Sequence, residues 1–441
     1  MKVVVIGCTH TGTAAISKIS EMYDDVSINA YEINDNISFL SCGIAMCVDK
    51  TIENINDFFY SSPDEMRKLG VNMFMRHKVT SVDFDNKKVL VENLESKDTF
   101  EDDYDKLIIT TGSWPIIPDI KGRELENVLL CKNYGHAKTI IDKADEAKRV
   151  AIVGCGYIGM ELAEAYHNLG KEVVIIDLLD DLLGKYVDKE YSDLLADAVS
   201  KAGIELALGH RCLEFKGDSK VEKVITDKGE FDVDTVILSV GFRPNNDLVD
   251  GKLETLANGA IVVDKYMRAS DKDVFAGGDS VCLDYIPTGG KSYLPLATNA
   301  VRTGAIIATN LKENRATHPG TNATSSVKIF GNHVSTTGLT LKMAQDEGMD
   351  ASAVSIEDSH LFEFVDGAEP QYLTIVFDNK TRRVLGAQFI SKALLPQTIN
   401  VLSLAIHKNT TIDELAYADF YFMPHFNKVW NIINIAAQKA L

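Results

Sequence analysis

The stretch RVAIVGCGYIGMELAEAYHNLGKEVVIID, Arg149 to Asp177, decides how this chain folds. A short β-branched run leads into Gly154, Gly156 and Gly159 at the spacing G-x-G-x-x-G. An amphipathic stretch follows, and a second apolar run ends on Asp177, eighteen residues past the last glycine. Strand, glycine turn, helix and strand in that order predict a βαβ unit that holds a dinucleotide. The first glycine makes the tight turn, the second admits a pyrophosphate to the backbone, and the third lets helix and strand pack closely. Free amides at the helix N-terminus receive the diphosphate. The Asp177 carboxylate then hydrogen-bonds the ribose diol and repels a 2′-phosphate. The residues that follow, Leu178, Leu179, Asp180 and Asp181, offer no cation to receive one, so NADH is favoured over NADPH. Tyr157 lies inside the turn, where an aromatic ring either packs or covers a second ring system.

The same order occurs 147 residues earlier. Lys2 to Ile6 form a β-branched run, GCTHTG (Gly7 to Gly12) follows, AAISKISEMY has helical spacing, and VSINAYE ends on Glu32, twenty residues after Gly12. Thr9 stands where the middle glycine is expected. A duplicated glycine pattern predicts two dinucleotides on duplicated folds. His10 sits inside this first turn, where an imidazole could donate a proton near neutral pH.

Between the two patterns, ISFLSCGIAM (Ile37 to Met46) places Cys42 where a helix could begin. A thiol at a helix N-terminus feels the macrodipole and free amides, so a lowered pKa and a reactive thiolate are expected. Lone cysteines are more commonly inert core; the two nucleotide patterns and His10 raise the redox reading above that baseline. Cys47, five residues on, would lie about 8 Å away along one regular helix, beyond disulfide reach, and is expected to pack. Further glycines end apolar runs in TTG (Thr110 to Gly112), in GFRPN at Gly241, and in Gly277-Gly278-Asp279. From Thr324 the glycine fingerprints stop. The chain then closes on the aromatic block YADFYFMPHFNKVWNIIN, a composition typical of interface or core.

Composition narrows the classes. A chain of 441 residues is too long for one core. A net charge of −19 without any basic cluster excludes nucleic acid as the main partner. No apolar run approaches the roughly 20 residues that span a bilayer, and MKVVVIGCTH enters strand and turn at once, so a cytoplasmic protein without membrane contact is expected. Seven scattered cysteines form neither a disulfide framework nor a metal pattern.

Taken together, the two Rossmann units, TTG, GFRPN, GGD and the single cysteine of FLSCG resemble the pyridine nucleotide-disulfide reductase superfamily. Within it they are similar to the single-cysteine branch of NADH oxidases, NADH peroxidases and coenzyme A disulfide reductases. The resemblance implies an α/β fold with two Rossmann-like domains, for FAD and NAD, plus an α+β C-terminal dimerisation domain. The FAD domain would comprise residues 1–120 and 246–322, split around an NAD domain at 121–245, with dimerisation at 323–441. It implies FAD contacts from Gly7, His10, Thr11, Gly12, Glu32, Cys42, Thr111, Gly112, Ser113, Lys132 and Asp279. Ala297 and Thr298 would lie near the flavin ring, and Phe426 would reach it from a partner subunit. NADH contacts would come from Gly154, Gly156, Tyr157, Ile158, Gly159, Asp177, Tyr186 and Gly241, with Tyr157 shielding the flavin until nicotinamide displaces it.

Cys42 would be the redox cysteine, cycling between thiolate and sulfenic acid, and His10 the active-site histidine. The ending FYFMPHFNKVWNIIN resembles oxidases and peroxidases rather than coenzyme A disulfide reductases. Val301 follows Asn299-Ala300, and the arginine comes next at Arg302, as in oxidases. The resemblance therefore implies an oxidase that uses two NADH to reduce O2 to water, in a homodimer or homotetramer. NADH peroxidase, coenzyme A disulfide reductase and a non-enzymatic flavin redox sensor are the alternatives.

Overall fold

The computed structural model describes residues 1–249 and 251–441. Two five-stranded parallel sheets organise it. The first runs in the order Val274–Ala276, Lys106–Ile109, Lys2–Ile6, Ser27–Glu32, Asn72–Met75. The second runs Glu205–Leu208, Glu172–Asp177, Arg149–Val153, Thr235–Leu238, Val128–Leu130. Both central strands are near-continuous β-branched runs because helices or other layers cover each face, as parallel sheets require. In each sheet the chain leaves the central strand to one side and returns to its other side. The crevice beyond the strand ends at that switch point is where such sheets hold ligands.

The first sheet is completed late. Val274–Ala276 pairs with Lys106–Ile109 only after the whole second sheet has been made. Asp273 fastens this return, accepting from Lys106 Nζ at 2.6 Å and Lys87 Nζ at 2.5 Å. Burial opposes its ionisation, but the two ammonium groups outweigh burial and draw the carboxyl down to about 2. A carboxyl with a depressed folded pKa stabilises the fold above its unfolded pKa, and the contribution is lost as pH falls through the folded value. Asp273→Asn is therefore expected to cost about 1–2 kcal/mol at pH 7. The gap from wild type should close between about pH 4 and pH 2. Urea midpoints of both proteins across that range check it.

One sequence expectation changes form. The run VNMFMRHKVTSVDFDNKKVLVENL does not make a single meander. Asn72–Met75 joins the parallel sheet, Arg76 turns the chain at φ 58°, and His77–Asp83, Lys88–Asn93 and Thr99–Asp103 form a separate antiparallel sheet. Past residue 324 lies an antiparallel sheet in the order Ser325–Ile329, Asn332–Gly338, Val384–Ser391, Pro370–Asp378, Ala351–Ser359. Helices Thr398–His407 and Ile432–Lys439 pack on it through Leu373, Phe389, Leu402 and Ile433. The aromatic block beside them is not core: Tyr417, Tyr421, Phe426 and Trp430 are all exposed. No helix among the described residues is long and apolar enough to cross a membrane.

Candidate active site

Steric necessity shapes the first glycine turn. Gly7 has φ +90°, and a Cβ there would lie 2.4 Å from the Thr110 carbonyl oxygen. A Cβ on Gly12 would lie 2.0 Å from the carbonyl oxygen of Gly7, so Gly12 sits beneath the turn as packing. The helix His10–Met22 starts immediately, with no side-chain cap and no acidic residue in its first turn. Its first amides are left for an anion. Glu32 is buried at the tip of the second strand. It accepts the Cys8 N–H at 2.7 Å and the Asn34 N–H at 3.0 Å. Burial pushes its carboxyl up, and these bonds partly counter that.

A second set of groups closes around Asp279. Ser113 Oγ donates to it at 2.6 Å and Lys132 Nζ at 2.9 Å. Burial opposes ionisation of Asp279, yet Lys132 and Ser113 hold its carboxyl below the usual range. The Gly112 N–H donates to Ser280 Oγ at 2.8 Å, and Thr111 hydrogen-bonds Asn246 at 3.0 Å. Gly7, His10, Thr11 and Glu32 share one cleft of about 390 Å³ with Thr111, Gly112, Ser113, Lys132 and Asp279. Ala297 and Thr298 do not line it; they open the helix Ala297–Asn310, whose Ala300 does. Phe426 lies outside it, on the exposed C-terminal segment.

Cys42 departs from the sequence expectation. It sits in a 3₁₀ turn, Ser41–Gly43, and the helix that follows, Ile44–Val48, has only five residues. The thiol pKa is raised, not lowered. Desolvation by the surrounding protein is the largest cause although Cys42 itself reaches the surface, and Glu161 adds to it against the pull of Lys132. So short a helix supplies too little dipole to reverse that balance. Its neighbours Phe39 and Ser41 line the cleft, and Cys47 is buried and unpaired.

Two partners had no signal in the sequence. Tyr60 places its hydroxyl 2.8 Å from His10 Nδ1, with the rings nearly parallel at 9°. Burial lowers the His10 pKa, with Asp279 opposing and Lys132 adding to the effect. Glu161 is held up to about 7, chiefly by burial and then by Glu164.

The second turn repeats the first. Gly154 has φ +106°, and its Cβ would lie 2.6 Å from the Ser239 carbonyl oxygen; on Gly159 a Cβ would lie 2.0 Å from the Gly154 oxygen. Helix Tyr157–Asn168 begins after Gly156 with no side-chain cap and no acid in its first turn. Asp177 accepts the Cys155 N–H at 2.6 Å and the Leu179 N–H at 2.8 Å. Gly154, Gly156, Asp177, Tyr186 and Gly241 line a cleft of about 450 Å³, whereas Tyr157, Ile158 and Gly159 do not. The Tyr157 ring stacks on Tyr186 at 4.1 Å, and its hydroxyl bonds Thr336 at 3.0 Å and Ser325 at 3.2 Å. The ring is thus anchored to the C-terminal sheet, away from the lining of either cleft. Lys185 and Arg211 also line the second cleft, so cations are present that the residues after Asp177 did not supply.

The pyridine nucleotide-disulphide oxidoreductase family model matches residues 1–304, and the model of its dimerisation domain matches residues 324–432. The chain belongs to this family. An NADH oxidase of Enterococcus faecalis is 46% identical over 443 residues, covering 100% of this chain and 99% of the relative. A CoA-dependent NAD(P)H sulfur oxidoreductase of Pyrococcus furiosus is 30% identical over 440 residues, covering 99% of this chain and 98% of that protein. Among solved structures, the water-forming NADH oxidase of Lactobacillus brevis bound to NADH superposes with a TM-score of 0.98 at 43% identity. That match covers 100% of this chain and 98% of the other. Both glycine turns and the Cys42 segment fall inside the oxidoreductase match, and the antiparallel sheet falls inside the dimerisation match.

Proposed function

We propose that this member of the oxidoreductase family is an FAD-dependent NADH oxidase that reduces O2 to water. The observation that carries the reading is the free thiol of Cys42, beside a cleft built for one nucleotide in a chain that builds a second such cleft. FAD fits the first cleft: uncapped amides at the start of helix His10–Met22 await a diphosphate, and Glu32 keeps acceptor capacity for a ribose. Bound there, FAD supplies hydride acceptance from NADH and two-electron delivery to O2.

The residues of the chain do the rest. Amides of the Gly7 turn would hold the FAD diphosphate, Glu32 the ribose, and Ser113, Lys132 and Asp279 the far end. Amides after Gly156 would hold the NADH diphosphate, and Asp177 the ribose diol. The Cys42 thiolate attacks one oxygen of peroxide: the S–O bond forms, the O–O bond breaks, and the leaving hydroxide takes a proton to become water. Cys42 is then a sulfenic acid. Two electrons from a second NADH, with one further proton, return it to the thiolate and release the second water. With Tyr60 donating to Nδ1, a neutral His10 carries its proton on Nε2, where it can orient the peroxide.

Exposed Tyr417, Tyr421 and Trp430 in the dimerisation domain support a homodimer in which Phe426 reaches the partner's cleft. Seven unpaired cysteines support a cytoplasmic location. Oxygen uptake against NADH oxidised, with catalase added at the end, tests the activity. About two NADH per O2 and no catalase-released oxygen is expected from the four-electron count. Peroxide accumulating at about one NADH per O2 would remove the water-forming step. Negligible uptake would turn attention to peroxide and coenzyme A disulfide as oxidants.

A further inference from the structure

We propose that Lys185 and Arg211 form a receptor for the 2′-phosphate of an adenine nucleotide, held idle by Asp177. The proposal rests on the reading of this cleft as the NADH site. Asp177, Lys185 and Arg211 are its charged lining residues apart from His210. Each is 20 or more residues from a neighbour in the set or separated from it by a turn, so the fold alone brings them together.

The main chain fixes their places. His210 N–H donates to the Asp177 carbonyl at 2.8 Å, which sets Arg211 one residue beyond the tip of the strand that carries Asp177. Asp227 accepts the Arg211 N–H at 2.8 Å and holds that residue's backbone. On the other side, Tyr186 N–H donates to the Leu183 carbonyl at 2.7 Å, and the Tyr186 ring stacks on Tyr157, so the turn carrying Lys185 is braced. Neither the Lys185 ammonium nor the Arg211 guanidinium has a salt bridge or side-chain hydrogen bond among the described residues. Nearby acids do not cancel them: Asp181 is paired with Lys189 at 3.2 Å, and Asp180, Asp181 and Asp227 do not line the cleft.

A phosphate monoester suits this pair. Guanidinium offers a planar fork to two phosphate oxygens, and an ammonium adds a mobile point charge. Asp177 stands at the ribose position, anchored by two amides, and its charge repels the same phosphate. Preference for the unphosphorylated nucleotide therefore depends on one carboxylate, with the complementary charges already in place.

The test uses FAD-loaded protein and two probes, 5′-ADP and 2′,5′-ADP, with calorimetric affinities in place of turnover. Wild type is expected to prefer 5′-ADP. Asp177→Ala should bind 2′,5′-ADP at least about tenfold more tightly than wild type does, the effect of one well-placed charge contact. Adding Arg211→Ala or Lys185→Ala to Asp177→Ala should reverse that gain while 5′-ADP affinity changes by less than about threefold. Equal losses for both probes would assign the cations to the shared diphosphate or adenine and overturn the proposal. No loss for 2′,5′-ADP would overturn it as well. If 5′-ADP fails to bind wild type, the nucleotide reading of the cleft falls, and the proposal falls with it. Because no readout depends on oxidase turnover, an inactive enzyme that shows this binding pattern leaves the receptor standing and removes only the oxidase reading.

Discussion

Cys42→Ser is expected to convert a reaction that consumes two NADH per O2 into one that consumes about one and accumulates peroxide. Serine matches the thiol in size, and Cys42 lies at the surface of a short turn, so the fold should persist. What disappears is the only atom there that can take an oxygen from peroxide and later return it as water. The hydroxyl of serine has no sulfenic counterpart. NADH consumption should continue, since both nucleotide clefts are untouched. Peroxide released per O2 should rise at least about tenfold, read as oxygen returned on adding catalase. Water formation equal to wild type would take the peroxide-cleaving role from Cys42. The raised thiol pKa sharpens the interpretation. Burial and Glu161 hold Cys42 protonated in the ligand-free chain, so its reactivity cannot be credited to a helix dipole.

Gly7→Ala is expected to yield protein nearly free of flavin and destabilised by about 3 kcal/mol. Two effects coincide there. The backbone at φ +90° is one that L side chains rarely adopt, and the new methyl would lie 2.4 Å from the Thr110 carbonyl oxygen. Relief requires moving either the turn or the neighbouring strand end, and both line the first cleft. Gly112→Ala is the control. It shares a positive φ of 70° but meets nothing within 4 Å, so it should cost about 1 kcal/mol and keep its flavin. The ratio of flavin to protein absorbance and the thermal midpoint separate the two. Equal flavin content in both variants would mean that the first turn tolerates a side chain and does not form the cradle.

Local patterns were legible because their causes are local. Gly154, Gly156, Gly159 and Asp177 lie within 24 residues, and each answers to a backbone constraint that nearby residues impose. The same holds for Gly7, Gly12 and Glu32. Cys42 was legible as a candidate but not in its electrostatics. Its thiol is governed by Glu161 and Lys132, which lie about a hundred residues away in the chain. Tyr60 carries no motif, and nothing short of the fold places its hydroxyl on His10. The aromatic C-terminal block left core and interface both open, and the exposure of Tyr417, Tyr421 and Trp430 decides for surface.

By itself, then, the sequence determined that two βαβ units each end in a glycine turn and a ribose-facing carboxylate, because steric demands over a few residues admit few alternatives. Only the tertiary structure decided what surrounds those turns. It anchored Tyr157 to Ser325 and Thr336 instead of leaving it over a cleft, raised the Cys42 thiol, and brought Lys185 and Arg211 beside Asp177. Charge and desolvation act through space over several ångströms. Their sources are set by which strands and loops the fold makes neighbours, and spacing along the chain does not record that.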